Sequence, residues 1–145
     1  MIFLDTSFLF ALFAEDDANH ARVLEVMAQY RGRDLQDFVL TTNHIVSETL
    51  TLIRSGVHRD PEVSHRVAVT VGRQLFDGVY GRLHQATMEE ERRAFEYLAR
   101  HRDKQYSFVD CLSFVIMEKL GITEAFSCDS DFTHRFTAIP GPQRS

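Results

Sequence analysis

The chain has 145 residues, 44% of them hydrophobic, with 16 Lys and Arg against 21 Asp and Glu for a formal net charge of −5. That much apolar material in a chain of mixed charge predicts one globular domain over residues 1–145 and excludes bulk disorder. The longest unbroken apolar run, Phe8 to Ala14, is far short of the roughly 20 residues of a membrane helix, so no membrane partner is expected.

The opening MIFLDTSFLFALFAEDD has no basic flank, and Asp5 interrupts its apolar run, so it reads as mature fold and not as a secretory leader. Ile2-Phe3-Leu4 predicts a buried strand. Thr6 and Ser7 give a cap signal for a helix over Phe8 to Ala14. A second helix is predicted from His20 to Tyr30, with Val23, Leu24 and Met27 on its inner face. Asp37 to Thr41 reads as the next strand. Thr42 or Asn43 then caps a helix that runs to Ser55 and stops at Gly56. Pro61 starts another helix, which ends near Asp77-Gly78. A weak strand follows at Leu83 to Gln85, then a charged helix from Met88 to His101. Ser107 opens a helix, FVDCLSFVIMEKL, that is apolar on nearly every side, as an interior helix is, and Gly121 ends it. Short strands at Ala125 to Cys128 and Phe136 to Ile139 complete the pattern. Strands alternating with helices predict an α/β fold with a mainly parallel sheet covered on both faces.

In such sheets the working crevice lies beyond the carboxyl ends of the strands. Asp5 and Asp129 each follow a predicted strand directly; either one alone is explained as readily by capping the next helix. Glu48 lies between Ile45 and Leu52 on what reads as the inward stripe of its helix. Asp110 stands in the apolar helix in line with Phe114 and Met117, where Ser107 and Asp110 also fit a capping box. Together the four acids say more. Carboxylates converging on one crevice repel one another and lose hydration, so they call for a cation, and an all-oxygen ligand set suits Mg²⁺ or Mn²⁺. One or two such ions serve phosphodiester hydrolysis, and the net acidity of the chain does not oppose this, because bound ions invert the local sign.

Four segments carry a family resemblance: Phe-Leu-Asp5-Thr-Ser7; Val-Ser-Glu48-Thr-Leu; Tyr106-Ser-Phe-Val-Asp110-Cys-Leu-Ser-Phe; and Ser127-Cys-Asp129-Ser-Asp131-Phe132. In order and spacing the chain resembles PIN-domain ribonucleases, specifically the VapC-type toxins of bacterial toxin–antitoxin pairs, over nearly its whole length. The resemblance implies a three-layer α/β/α fold with a central mainly parallel sheet, and a Mg²⁺- or Mn²⁺-dependent endoribonuclease. It carries the catalytic, metal-holding role onto Asp5, Glu48, Asp110 and Asp129, with Asp5 and Asp110 foremost as direct ligands. Ser7 and Ser127 would support them. Ser127 stands where the family more often has Thr, which keeps the hydroxyl. Asp131 is the alternative to Asp129 as the fourth acid, with Asp129 nearer the strand end. A small VapB-like antitoxin would block the site, and a homodimer is expected from the apolar helices near the amino terminus.

Arg92, Arg93, Arg100, Arg102 and Lys104, just ahead of the acidic helix, are candidate RNA contacts, although a solvated helix face explains each one as well. His44, one turn before Glu48, is expected to be partly exposed. The spacing of Cys111 and Cys128 gives neither a redox motif nor a disulfide scaffold, which predicts buried thiols in a reducing cytoplasm. Glu62-x-x-His65 has the spacing of a di-iron bundle but lacks the second copy that fold requires. Two rival functions remain. A haloacid-dehalogenase-like phosphatase needs an acid where Ser7 stands. An inactive PIN-fold scaffold for RNA or protein is disfavoured by the presence of all four acids.

Overall fold

A computed structural model describes residues 1–144. Among these, the apolar runs form β1 (Ile2–Leu4), β2 (Val39–Thr42), β3 (Arg82–His84), β4 (Glu124–Ser127) and β5 (Thr137–Pro140). The amphipathic stretches form α1 (Thr6–Phe13), α2 (His20–Ala28), α3 (Asn43–Gly56), α4 (Pro61–Phe76), α5 (Met88–Arg100) and α6 (Phe108–Leu120). Two 3₁₀ turns, Leu35–Asp37 and Ser130–His134, were not foreseen from sequence.

Every strand pairing is parallel, in the order β3-β2-β1-β4-β5. The chain moves from β1 outward through β2 to β3, then returns across β1 to β4 and β5. Right-handed crossovers therefore place α1 to α4 on one face and α5 and α6 on the other. The side chains agree. Leu4 and Phe126 line an apolar pocket with Phe8, Leu9, Leu12 and Met27 of α1 and α2. Phe3, one residue along the strand, stacks on Phe132 at 6.3 Å, and Phe132 meets Phe114 of α6 edge-on at 5.0 Å. The three-layer α/β/α architecture follows, with β1 and β4 at its centre.

Local chemistry starts and ends the helices where the chain needs them. Thr42 caps α3 by accepting from the Ile45 N–H at 3.2 Å, and Asp60 caps α4 ahead of Pro61. Thr87 and Ser107 each head a capping box, with Glu90 and Asp110 reaching back to the cap N–H. Gly121 ends α6 with a φ of 68°, a left-handed conformation that favours glycine. From Cys111 to Met117 every residue of α6 is buried, as expected of a helix covering the middle of the sheet.

Four expectations shift. Asp5 itself is the extended cap residue of α1, so the helix begins at Thr6 and ends at Phe13. The second helix stops at Ala28 and buries Val23 and Val26, leaving Leu24, about 100° round the helix from Val23, 46% exposed. Asp37 belongs to a 3₁₀ turn, and β2 starts only at Val39. The inward stripe of α3 is Ile45, Val46, Thr49 and Ile53, with Leu52 exposed, so Glu48 sits half-buried at the border of that stripe. β3 pairs on one side alone, with β2, and such an edge strand needs few apolar residues, which explains its faint signal.

Candidate active site

The direction of strand addition reverses at β1 and β4, which lie side by side with Leu4 opposite Phe126. A crevice forms beyond the carboxyl ends of strands at such a reversal. Asp5 leaves β1 there, its N–H donating to the Phe126 carbonyl at 3.0 Å, and Asp129 follows the last residue of β4 by two positions. The amino-terminal turn of α6 brings Asp110 to the same place.

Asp5 is buried to 4% exposure and is held by hydroxyls. Its Oδ2 accepts from Ser7 Oγ at 2.7 Å and from Ser127 Oγ at 2.8 Å, with the Ser7 N–H more distant at 3.4 Å. The hydroxyl oxygens accept in turn: Ser7 Oγ from the Cys128 N–H at 2.9 Å, and Ser127 Oγ from the Asp129 N–H at 3.0 Å. Each hydroxyl has one proton, and Asp5 takes both, so the 3.2 Å separation of the two serine oxygens reflects their convergence on one acceptor. One carboxylate oxygen of Asp5 is thus fully committed. Its Oδ1 has no hydrogen-bond partner among the described residues.

Asp110 Oδ2 closes its capping box by accepting from the Ser107 N–H at 2.9 Å. Asp129 Oδ1 accepts from the Asp131 N–H at 2.9 Å and thereby caps the turn Ser130–His134. Asp110, Asp129 and Asp131 each offer one oxygen within 4.8 Å of the other two. Asp5 adjoins this set closely enough to feel the charge of Asp110 and Asp129. Glu48 is half-buried on α3 and belongs to no such group of three among the described residues.

The electrostatics follow from this crowding. Burial pushes Asp5 up to about 7, against the Ser7 and Ser127 hydrogen bonds and with help from Asp110 and Asp129. Burial also lifts Asp110 to about 6; the Ser107 contacts oppose it, while Asp129 and Asp131 add to it. Asp131 rises through burial and Asp129, and His134 and Lys104 pull it down. Carboxyls that resist ionisation beside one another, with an uncommitted oxygen on the most buried of them, fit a divalent cation with oxygen ligands.

The other residues singled out from sequence fall as follows. Ser7 and Ser127 are the two hydroxyls on Asp5. Arg92, Arg93 and Arg100 line a groove of about 630 Å³ with Glu89, Glu96 and Tyr97, so acids alternate with them. Arg102 and Lys104 are exposed on the connection before α6. His44 Nε2 meets Glu91 Oε1 at 2.8 Å, and its ring lies edge-on to Phe108 at 5.9 Å. Cys111 and Cys128 are free and buried.

Sequence reading gave no role to three residues near these elements. Glu90 is 1% exposed; its oxygens accept from the Thr87 N–H at 2.8 Å and face His84 Nε2 at 2.9 and 3.0 Å, with Lys119 Nζ at 3.5 Å. The Thr-x-x-Glu pattern at 87–90 announced the capping box, and His84 three residues upstream hinted at the partner. Tyr106 and His134 hydrogen-bond at 2.7 Å across the chain, and no local pattern reveals such a pairing.

Comparison with known proteins places these features in context. A family model described as the PIN domain matches residues 2–135. Two relatives, both named 23S rRNA-specific endonuclease VapC20, come from Mycobacterium tuberculosis strains CDC 1551 / Oshkosh and ATCC 25618 / H37Rv. Each is 37% identical over 133 residues, 92% of this chain and 92% of the relative. The crystal structure of M. tuberculosis VapC20, a sarcin–ricin loop cleaving toxin, matches with a TM-score of 0.78 and 35% identity, covering 92% of this chain and 94% of that one.

Proposed function

The chain belongs to the PIN-domain family, and from that premise we propose that it is a divalent-metal-dependent endoribonuclease that cuts 23S rRNA at the sarcin–ricin loop. The observation that carries this reading is the acid set itself: Asp110, Asp129 and Asp131 within mutual reach, beside a buried Asp5 with one free oxygen. The similarity to VapC20, at 37% identity, supports this choice of substrate. The protein acts as a single domain over residues 1–145 in a reducing cytoplasm, as the toxin of a toxin–antitoxin pair. A VapB-like antitoxin restrains it, and it works as a homodimer.

Asp5 through Oδ1, with Asp110, Asp129 and Asp131, would hold one or two Mg²⁺ or Mn²⁺ ions, with Glu48 of α3 as a further candidate ligand. When bound, such an ion polarises the phosphate and lowers the pKa of a coordinated water. The protein's own part is positional. Ser7 and Ser127 fix Oδ2 and leave Oδ1 free to take a ligand. The Ser107 box fixes Asp110, and the 3₁₀ turn fixes Asp129 against Asp131. Lys104 on one flank, with Arg100 and Arg102, attracts the phosphates that the acids repel. No side chain is needed as nucleophile, and the Ser7 hydroxyl, committed to Asp5, leaves no second acid for phosphatase chemistry of the haloacid-dehalogenase kind.

The test is incubation of the antitoxin-free protein with intact ribosomes and with a sarcin–ricin hairpin, with Mg²⁺ or Mn²⁺, with and without EDTA, beside Asp110→Asn and Asp129→Asn. The proposal expects one discrete, EDTA-sensitive cut that both variants lose. Cutting that persists in EDTA, or in both variants, refutes the site. No cutting of either RNA refutes the nuclease reading.

A further inference from the structure

The hydrogen bond between the Tyr106 hydroxyl and His134 Nδ1, at 2.7 Å, joins the two segments that carry three of the acids. Tyr106 precedes Ser107, the cap of α6, and stands four positions before Asp110; His134 closes the 3₁₀ turn three positions after Asp131. Residues three apart in a 3₁₀ turn eclipse one another, so the imidazole rises from the same face as the Asp131 carboxylate.

The partners are unequal in a useful way. Tyr106 is buried, its ring edge-on to Phe114 at 5.1 Å and tilted against His101 at 5.9 Å, so the phenol is fixed. His134 is exposed, and with Nδ1 engaged its Nε2 has no hydrogen-bond partner among the described residues. His134 and Lys104 are the cationic groups that act on Asp131. The result is a basic flank against an acidic floor. Nothing in the arrangement of the acids uses Tyr106 or His134, yet RNA entering this crevice must bring phosphates past that flank.

We propose that His134 is a substrate-binding residue whose Nε2 donates to an RNA backbone phosphate beside the bond to be cut, and that Tyr106 is the positioning residue that aims it. This role requires the tautomer in which the phenol donates to Nδ1; the neutral imidazole then carries its hydrogen on Nε2, and the protonated ring carries one there as well. This inference rests on the nuclease reading above.

The test measures kcat and KM for the sarcin–ricin hairpin with wild type, His134→Ala, His134→Gln, Tyr106→Phe and the pair Tyr106→Phe/His134→Ala, with Mn²⁺ affinity and thermal stability measured for each. Loss of a hydrogen bond to a charged group predicts a KM raised about tenfold in His134→Ala, with kcat changed by less than about threefold. His134→Gln, which keeps a donor, recovers part of that loss. Tyr106→Phe raises KM by a smaller factor, and the pair is no worse than His134→Ala alone, because the two act as one unit. Mn²⁺ affinity stays at the wild-type value throughout. Wild-type KM in His134→Ala, or additive losses in the pair, overturns the inference and leaves the nuclease reading standing. A wild-type protein that fails to cut removes both.

Discussion

Two buried carboxylates, one on α5 and one at the carboxyl end of β1, show how the same acidic group serves two purposes. Glu90 on α5 is 1% exposed and Asp5 after β1 is 4% exposed, so burial alone does not separate them. Burial pushes Glu90 up, but the Thr87 N–H and the His84 imidazole outweigh it and hold the carboxyl at about 2. Asp5 receives two neutral hydroxyls and faces other acids, and it stands at about 7. Glu90 finds its countercharge within the chain, while Asp5 lacks one. A buried acid left without a partner, in a crevice at a sheet reversal, marks where the fold has kept an unfavourable charge for function.

The comparison breaks most sharply by exchanging each acid for its amide. Asp5→Asn is expected to reduce RNA cutting by on the order of 10³-fold, as loss of a group that organises transition-state charge does. Glu90→Gln, in contrast, leaves His84 and Lys119 without their acid and costs about 2 kcal/mol of stability, read by urea unfolding, while the folded fraction cuts RNA at the wild-type rate. Equal losses of activity in both variants would erase the distinction.

Proton linkage gives the same contrast with opposite signs. The raised folded-state pKa of Asp5 means that the cation-free protein binds more protons than the unfolded chain between about pH 4 and about 7. Its contribution is fully present below that window and is lost as the pH rises through it. Asp110 acts likewise up to about 6. Glu90 works the other way, stabilising above its ordinary carboxylate range and losing that contribution as the pH falls towards about 2. Thermal unfolding in EDTA should therefore show a Tm that declines from pH 5 to pH 7, with Asp5→Asn flattening the decline. Added Mn²⁺ should restore stability at pH 7.

Smaller effects sharpen the picture. Ser127→Ala removes one of the two hydroxyls on Asp5, and loss of such a supporting contact predicts about a tenfold fall in activity or metal affinity. Arg92→Ala, in a groove where Glu89 and Glu96 alternate with the arginines, should change KM by no more than about twofold.

Much of this was legible in the sequence because local chemistry wrote it there. The alternation of Ile2-Phe3-Leu4 with capped helices gave the α/β order, and Ser107, Asp110 and Gly121 marked the limits of α6. The strand-end positions of Asp5 and Asp129 placed the crevice. What escaped depended on packing. The face of α3 turned so that Thr49 and Ile53 point inward and Leu52 does not, which left Glu48 at the border. Asp131 stands beside Asp110 because a 3₁₀ turn, invisible to apolar periodicity, folds it back. Tyr106 and His134 meet only in three dimensions.

The central claim, that the acids around Asp5 await a divalent cation, is tested most directly by calorimetric titration of the EDTA-stripped protein with Mn²⁺ at pH 6, in buffers of differing ionisation enthalpy. Carboxyls at about 7 and about 6 must give up their protons to the ion, so the account predicts release of between about one and two protons per chain. Asp5→Asn should release correspondingly fewer. Binding without proton release, or release unchanged in Asp5→Asn, would contradict it.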